Sequence, residues 1–275
     1  MQKVVLVGAG GKMGCRLTRN LKSSAYQMQY VEISPAGIER MKELGVSASE
    51  STRVIPQADA VILAVPDVAL GKVSEMIIPQ MRPGAVVVFL DPAVAMAGKL
   101  YRREDVAYFI SHPAHPSVFN WEETPEAQKD FFGGTLARQA IVCTLLQGDE
   151  AVYAIGEKLA SAMYAPVSEA FRITVEQMAL LEPALVETLS STCLVIVKEG
   201  LDEVIRRGVP ANAARAFLLG HLNIQLAVIF GEIPGAVFSD AANKAIERGR
   251  SILFRDDWKK IFEPDNVLEQ VNDIT

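Results

Sequence analysis

The chain reads as an α/β protein in two parts, a parallel-sheet domain followed by an all-α domain, and three features carry that reading. Short, wholly apolar runs alternate with amphipathic stretches through the first 110 residues. The first run leads directly into a cluster of glycines that opens a helical pattern. Beyond an irregular stretch at 111–135 the sequence shows only helical periodicity. Strands buried on both faces and separated by helices imply βαβ units, hence a parallel sheet covered on both sides.

In order, residues 4–7 form a continuous apolar run and 12–22 a helix. Residues 29–33 are the second strand, 37–44 a helix, and 60–65 the most strongly apolar strand. A helix over 68–81 follows, then a buried strand at 85–90 and a shorter one at 107–110. Residues 111–135, rich in Pro, Gly, Asn and Thr, read as an irregular connector. Helical periodicity then covers 136–146, 150–163, 175–181, 183–199, 211–230 and 240–254. Pro183 directly after Glu182 marks a break, with Glu182 near an N-cap and Pro183 first in the next helix. The expected division is 1–111 for a nucleotide-type domain and 112–130 for a connector. Residues 131–275 are expected to form an all-helical domain for substrate binding and dimerisation.

A chain of 275 residues, 50% hydrophobic and 22% charged, can bury two cores and is not disordered. The first 130 residues carry 14 Lys/Arg against 14 Asp/Glu, and the remainder 13 against 19. Neither half has a basic surplus, so nucleic acid and anionic membranes are not expected partners. Cys15, Cys143 and Cys193 are odd in number and far apart, which suits a reduced, cytoplasmic protein without disulfides. No signal-peptide pattern opens the chain. Its longest uncharged apolar stretch, 216–231, falls short of the ~20 residues a membrane span needs and reads as a buried helix.

The first turn reads Gly8-Ala9-Gly10-Gly11-Lys12-Met13-Gly14, between a buried strand and a helix. In that setting glycines admit a pyrophosphate to backbone N–H groups at a helix N-terminus, whose dipole favours negative charge. Two registers are open: GxGxxG, with Met13 in third place, and GxxGxxG, with Gly8, Gly11 and Gly14. Close helix–strand packing favours the second. Glu32 ends the second strand, and a carboxylate there accepts hydrogen bonds from the adenosine ribose and repels a 2′-phosphate. No Arg follows within 33–37, which favours NAD over NADP. These signs make the first domain Rossmann-type. Ligands of such sheets lie outside the carboxyl ends of the strands, so Val65-Pro66-Asp67 borders the cofactor. Asp91, ending the next strand, reads as a turn cap.

Two of the three histidines stand in Ser111-His112-Pro113-Ala114-His115-Pro116, at the end of the last strand. Imidazole is the usual base for hydroxyl oxidation, and a pair can also ligate a divalent metal. His115 is expected to be the more exposed and hence the base. His221, alone in an apolar helix, reads first as a core residue and second as catalytic. Glu182 at its break is a candidate second base or metal ligand, whereas Glu176 and Glu187 suit a solvated helix face. Asn120 and Asn223 are candidate substrate contacts.

Together the glycine loop, "ADAVILAVPD", the His-Pro loop and the helical half resemble the β-hydroxyacid dehydrogenase and ketol-acid reductoisomerase superfamily. "SHPAHPSVFN", "TVEQMALLEP" and "GHLNIQLAVIFG" resemble its phosphogluconate-dehydrogenase-like subgroup. The resemblance spans essentially the whole chain. It implies an NAD enzyme that oxidises a small hydroxy acid or sugar acid, with or without migration of a carbon. The Lys with an Asn four residues on that β-hydroxyacid dehydrogenases carry is missing here, so that catalytic lysine has no counterpart. The paired acidic metal ligands of the reductoisomerases are missing too, so any divalent ion must be held partly by histidine.

The expected activity is therefore NAD-dependent oxidation of a sugar acid in a homodimer. The rivals are a prephenate or pyrroline-carboxylate type NAD(P) reductase without migration, and a non-catalytic NAD sensor. Glu32 gives the first test. NAD is expected to bind at least ~10-fold more tightly than NADP, and Glu32→Ala to weaken NAD and relax the discrimination. Equal affinity of the parent protein for both dinucleotides would refute this role.

Overall fold

The apolar runs become the centre of a seven-stranded sheet in a computed structural model of the chain, which describes residues 2–275. The strands are β1 (Lys3–Val7), β2 (Gln27–Val31), β3 (Ala60–Leu63), β4 (Val86–Phe89), β5 (Ala107–Pro113), β6 (Gln139–Gln147) and β7 (Val167–Arg172). Their order is β2-β1-β3-β4-β5-β6-β7. The first five run parallel, β6 is antiparallel to β5, and β7 is parallel to β6. The helices joining the first five strands are α1 (Lys12–Leu21), α2 (Pro35–Glu43), α3 (Ser51–Val54), α4 (Asp67–Ile77) and α5 (Ala93–Met96). Then come α6 (Pro125–Gln128), α7 (Glu150–Met163), α8 (Val175–Ala179), α9 (Thr192–Arg206), α10 (Ala211–Ile229), α11 (Asp240–Leu253) and α12 (Pro264–Ile274).

Two compact units result: Met1–Leu180 with Leu268–Thr275, and Leu181–Val267. The second is wholly helical. Its start corrects the expected boundary at 131, because two strands lie beyond that point. Residues 136–146, expected as a helix, supply β6, and β7 was not anticipated. The reason is packing: β5 is buried on both faces and needs a partner on its far edge. The β-branched, fully apolar centre of β6 provides it, with Ile141 and Cys143 completely buried. A short apolar run of this kind fits a buried helix or a strand equally well by periodicity.

Nor does the chain break at Pro183. A continuous helical run covers Val175–Arg206, and its middle, Leu180–Ser191, is π-helical. The wide turn absorbs a proline that an α-helix would not. Glu182 therefore lies inside a helix, not at its cap.

In the first unit the sheet separates two apolar layers. One packs Leu6, Ile62, Phe109 and Ile141 against Leu17 and Leu21 of α1 and Met163 of α7. The other gathers Val5, Val61, Val87, Phe89 and Tyr108 with Leu70 and Ile77 of α4. Helix α7 meets the sheet through Gly156, where an added Cβ would sit 2.4 Å from the Phe109 ring. Alanine normally favours a helix over glycine. Here Gly156→Ala is expected to cost about 1–3 kcal/mol by overpacking. Equilibrium urea unfolding of the variant checks this, and a gain in stability would contradict it.

Candidate active site at the carboxyl edge of the sheet

The parallel strands end on one edge, which collects the glycine loop, Glu32, Val65, Asp91 and His112. The loop's amides are nearly all committed internally. Gly8 and Ala9 donate to the Val31 carbonyl at 2.9 and 3.2 Å, and Gly11 to Gly8 at 3.0 Å. Gly10 donates to Glu32 Oε2 at 2.9 Å. The first helical bond is Cys15 to the Gly11 carbonyl. That leaves Lys12, Met13 and Gly14 as the orphan donors of α1, aimed where an anion is best stabilised.

Close approach decides which glycines matter. Gly8 has φ +78°, and a Cβ there would lie 2.4 Å from the Ala64 carbonyl oxygen of the β3 end. A Cβ on Gly14 would meet the Gly8 oxygen at 2.0 Å, and one on Gly10 the Gly37 backbone at 2.3 Å. At Gly11 the nearest atom is 3.2 Å away, which is tight but tolerable. The sterically required set is therefore Gly8, Gly10 and Gly14, which corrects both expected registers. A cradle that any Cβ would fill, with orphan amides at its helical end, fits a dinucleotide pyrophosphate.

Glu32 is fixed by three backbone donors: Gly10 through Oε2, and Ile33 and Ser34 through Oε1, both at 2.8 Å. Beyond β3, Val65 packs against Gly8, Pro66 caps α4 and Asp67 is its first residue.

Strand β5 runs on through Pro113, so His112 stands at a strand end and not in the loop expected for it. It is half-buried. Its Nδ1–H donates to the Leu90 carbonyl at 2.7 Å and lies 3.7 Å from Asp91 Oδ2. A carbonyl only accepts, so the neutral ring carries its lone pair on Nε2. Asp91 does cap α5, accepting from Ala93 at 2.7 Å through Oδ1, but its other oxygen is a charge beside the imidazole. Sequence reading found the cap and missed the pairing. Behind His112, the Tyr164 hydroxyl donates to the Ser111 carbonyl at 3.0 Å. Burial raises the Tyr164 phenol, which therefore stays protonated. Burial also pushes the Cys143 thiol, beside Ser111, up to about 11, which makes it a packing group and no nucleophile.

His115 is exposed, as expected, but engaged. It is the one non-glycine residue with positive φ (61°) among the described residues. Its Nδ1–H donates to the Phe132 carbonyl at 2.9 Å, and its ring meets that of Phe132 edge-on at 6.0 Å. The Arg16 guanidinium of α1 lies 3.8 Å over the same Phe132 ring. His115 thus ties the connector to the helix of the glycine loop.

Asn120 braces the connector, donating to Glu122 at 2.6 Å and to the Arg138 carbonyl at 3.0 Å. Its side-chain NH2 is thus committed within the connector. In the second unit Glu182 lies in the π-helical stretch, and Asn223 is exposed on α10. His221 is also exposed rather than core: it donates to the Phe217 carbonyl one turn back at 2.8 Å and stacks on the Phe217 ring. Glu187 is exposed, and Glu176, beside the Thr174 hydroxyl, is held below its usual carboxylate range.

The steric reading of the loop separates two variants by titration with NAD. Gly10→Ala is expected to lose at least ~10-fold in affinity, whereas Gly11→Ala stays within about threefold. The reverse order would contradict the assignment.

Comparison with known proteins agrees with this layout. The NAD binding domain of 6-phosphogluconate dehydrogenase matches residues 3–92, and the phosphogluconate dehydrogenase (decarboxylating) C-terminal family matches 120–275. Proteins named D-apionate oxidoisomerase from Cupriavidus necator and Rhizobium rhizogenes are 51% and 50% identical. Both alignments cover 100% of this chain, and 99% and 100% of those proteins. A crystal structure described as a semialdehyde dehydrogenase NAD-binding protein from C. necator, in complex with calcium and NAD, superposes with a TM-score of 0.98. It is 51% identical and covered in full, as is this chain. A ketol-acid reductoisomerase from an uncultured archaeon shares the fold at 17% identity and a TM-score of 0.70, over 99% of this chain and 82% of that one. The chain belongs to the phosphogluconate-dehydrogenase-like family of NAD-binding oxidoreductases, in the branch of the D-apionate oxidoisomerases.

Proposed function

We propose that the protein oxidises D-apionate, a branched sugar acid, with NAD, and couples the oxidation to migration of a carbon. The observation that carries this reading is His112, oriented by Leu90 and Asp91 on the same strand-end edge as the glycine cradle. Full-length similarity to D-apionate oxidoisomerases supplies the substrate, and none of the relatives named above suggests a reductase without migration or a sensor. Lys12 and Met13 offer their amides to the pyrophosphate, Gly8, Gly10 and Gly14 make room for it, and Glu32 meets the ribose. Bound NAD supplies the hydride acceptor. His112 Nε2 takes the hydroxyl proton as the carbon loses hydride, and the Asp91 carboxylate stabilises the imidazolium that forms. Glu182 and His221 are proposed as further catalytic residues and Asn223 as a substrate contact.

The same geometry favours a second role for His112. Imidazoles that bind metals usually donate their other N–H to a carbonyl or carboxylate, as His112 does. One imidazole and the Asp91 carboxylate suit a divalent ion whose remaining ligands come largely from the sugar acid's oxygens and water. Such an ion, when bound, polarises the new ketone as a Lewis acid. His115 is then the base.

NADH formation from D-apionate tests the function. His112→Gln is expected to lower kcat by roughly 10²–10⁴-fold with little change in NAD affinity. His115→Gln should cost less than about tenfold under the first role and 10²-fold or more under the second. A chelator that abolishes turnover, restored by added divalent cation, selects the second. No NADH from D-apionate under either condition would refute the proposal.

We further propose a homodimer, cytoplasmic, joined through the helical unit. Within one chain α9 and α10 bury a single residue each, Leu201 and Ala214, and α11 buries none. Apolar side chains such as Leu194, Val195, Phe217, Ile224, Ile229 and Phe230 stand exposed. Between α9 and α10 an apolar groove of about 630 Å³ is lined by Val197, Leu201, Val204, Phe217 and Leu218. The run Val175–Arg206, which holds an 18-residue window of mean hydropathy 1.6, is long and apolar enough to cross a membrane by length and composition alone. A second copy covering this unit accounts for the exposed apolar side chains, since large contiguous apolar patches mark interaction sites. Light scattering should show a dimer at micromolar concentration, with more than ~2,000 Å² buried. A stable monomer would contradict it.

A further inference from the structure

Helix α2 brings a cation to the glycine loop that the spacing rule for Glu32 does not reveal. Ser34 caps the helix, its Oγ accepting from Gly37 at 3.4 Å, and Pro35 is its first residue. One turn later Gly37 and Arg40 share a face, being three residues apart. Gly37 packs closely on Gly10, where a Cβ would meet the Gly37 backbone at 2.3 Å, and a Cβ on Gly37 itself would lie 2.6 Å from the Glu32 carboxyl carbon. Arg40 Nε then donates to the Gly10 carbonyl at 2.7 Å. Gly10 is therefore gripped from two directions, its N–H by the Glu32 carboxylate and its C=O by the Arg40 guanidinium. The two terminal nitrogens of Arg40 have no hydrogen-bond partner among the described residues, and the residue is exposed.

We infer that Arg40 is a latent anchor for the 2′-phosphate of NADP, kept silent by Glu32. The inference rests on the dinucleotide reading of the glycine cradle and deepens it to cofactor selectivity. In Rossmann-type sites the acidic residue ending the second strand meets the 2′-hydroxyl, and a nearby Arg takes a 2′-phosphate instead. Here both residues converge on Gly10. The guanidinium is already held by one hydrogen bond, so recruiting its outer nitrogens loses little side-chain freedom, and a planar guanidinium suits a phosphate. What excludes NADP is then the repulsion between the Glu32 carboxylate and the phosphate, not the lack of a cation. Selectivity against NADP is a single-residue property resting on Glu32, and neutralising it exposes a site that is already built.

Titration of the full-length protein with NAD and NADP, followed by nicotinamide-independent calorimetry, tests this. Glu32→Gln keeps an acceptor oxygen for the loop and is expected to bind NADP at least ~10-fold more tightly than the parent does. That gain should shrink with added salt and vanish in Glu32→Gln/Arg40→Gln. Arg40→Glu in the otherwise native chain is the second arm, informative even if Glu32→Gln fails to fold. It should weaken NADP at least ~5-fold more than NAD. The inference is overturned if Glu32→Gln folds and gains no NADP affinity, if the gain survives removal of Arg40, or if Arg40→Glu weakens both dinucleotides equally. A parent protein that binds neither dinucleotide overturns the cofactor reading itself, a result distinct from these.

Discussion

Everything at the functional edge depends on how closely the turn after β1 approaches its neighbours. Three glycines let this turn touch the end of β3, the start of α2 and its own helix at distances that no side chain permits. Because those contacts use up the amides of Gly8 through Gly11, the loop is rigid before any ligand arrives. Only the first turn of α1 keeps donors to spare. Preorganisation of this kind removes an ordering cost from binding. It also fixes where the pyrophosphate must lie, and hence where the rest of a dinucleotide reaches along the strand ends.

The chemistry is assembled by the sheet. Strands β4 and β5 are parallel neighbours in register, Phe89 facing Ile110. That register carries the next residues, Leu90 and Asp91 on one strand and Ser111 and His112 on the other, to adjoining positions. The His112 tautomer follows from a backbone carbonyl, and the charge beside it from a helix cap. The antiparallel strand β6 and the buried Tyr164 hold β5 from the other side, so that the imidazole is borne on a rigid element. Functional side chains on strands are held more closely than side chains on loops, and His115, on the connector, shows the contrast: it is kept in a left-handed conformation by contacts to Phe132.

Much of this was legible in the sequence, for physical reasons that also explain what was not. Strands β1, β3, β4 and β5 were visible because each is almost wholly buried and bounded by turn residues, and β2, buried only over Tyr30 and Val31, by its place between two helical patterns. Glu32, the glycine cluster and the histidine pair announced themselves by position after a strand. Strand β6 did not, because a two-faced apolar run has no period to distinguish it from a helix. Pro183 misled because local rules for proline assume α geometry, and the π-helical turn evades them. The pairing of Asp91 with His112, and the role of Arg40 altogether, escaped notice because they depend on partners distant in sequence, His112 and Gly10. The apolar helices of the second unit were recognised as needing enclosure, and their exposure within one chain is the same fact seen from the structure.

The central claim is that one strand-end edge holds the cofactor and the base together. A crystal structure of the protein with NAD and D-apionate tests it most directly. The account predicts pyrophosphate oxygens on the amides of Lys12 and Met13. It also predicts His112 Nε2 within ~3.2 Å of a substrate hydroxyl, or of an ion that binds one, beside the nicotinamide. Pyrophosphate bound away from the first turn of α1, or a substrate whose oxygens approach neither His112 nor an ion on it, would contradict it.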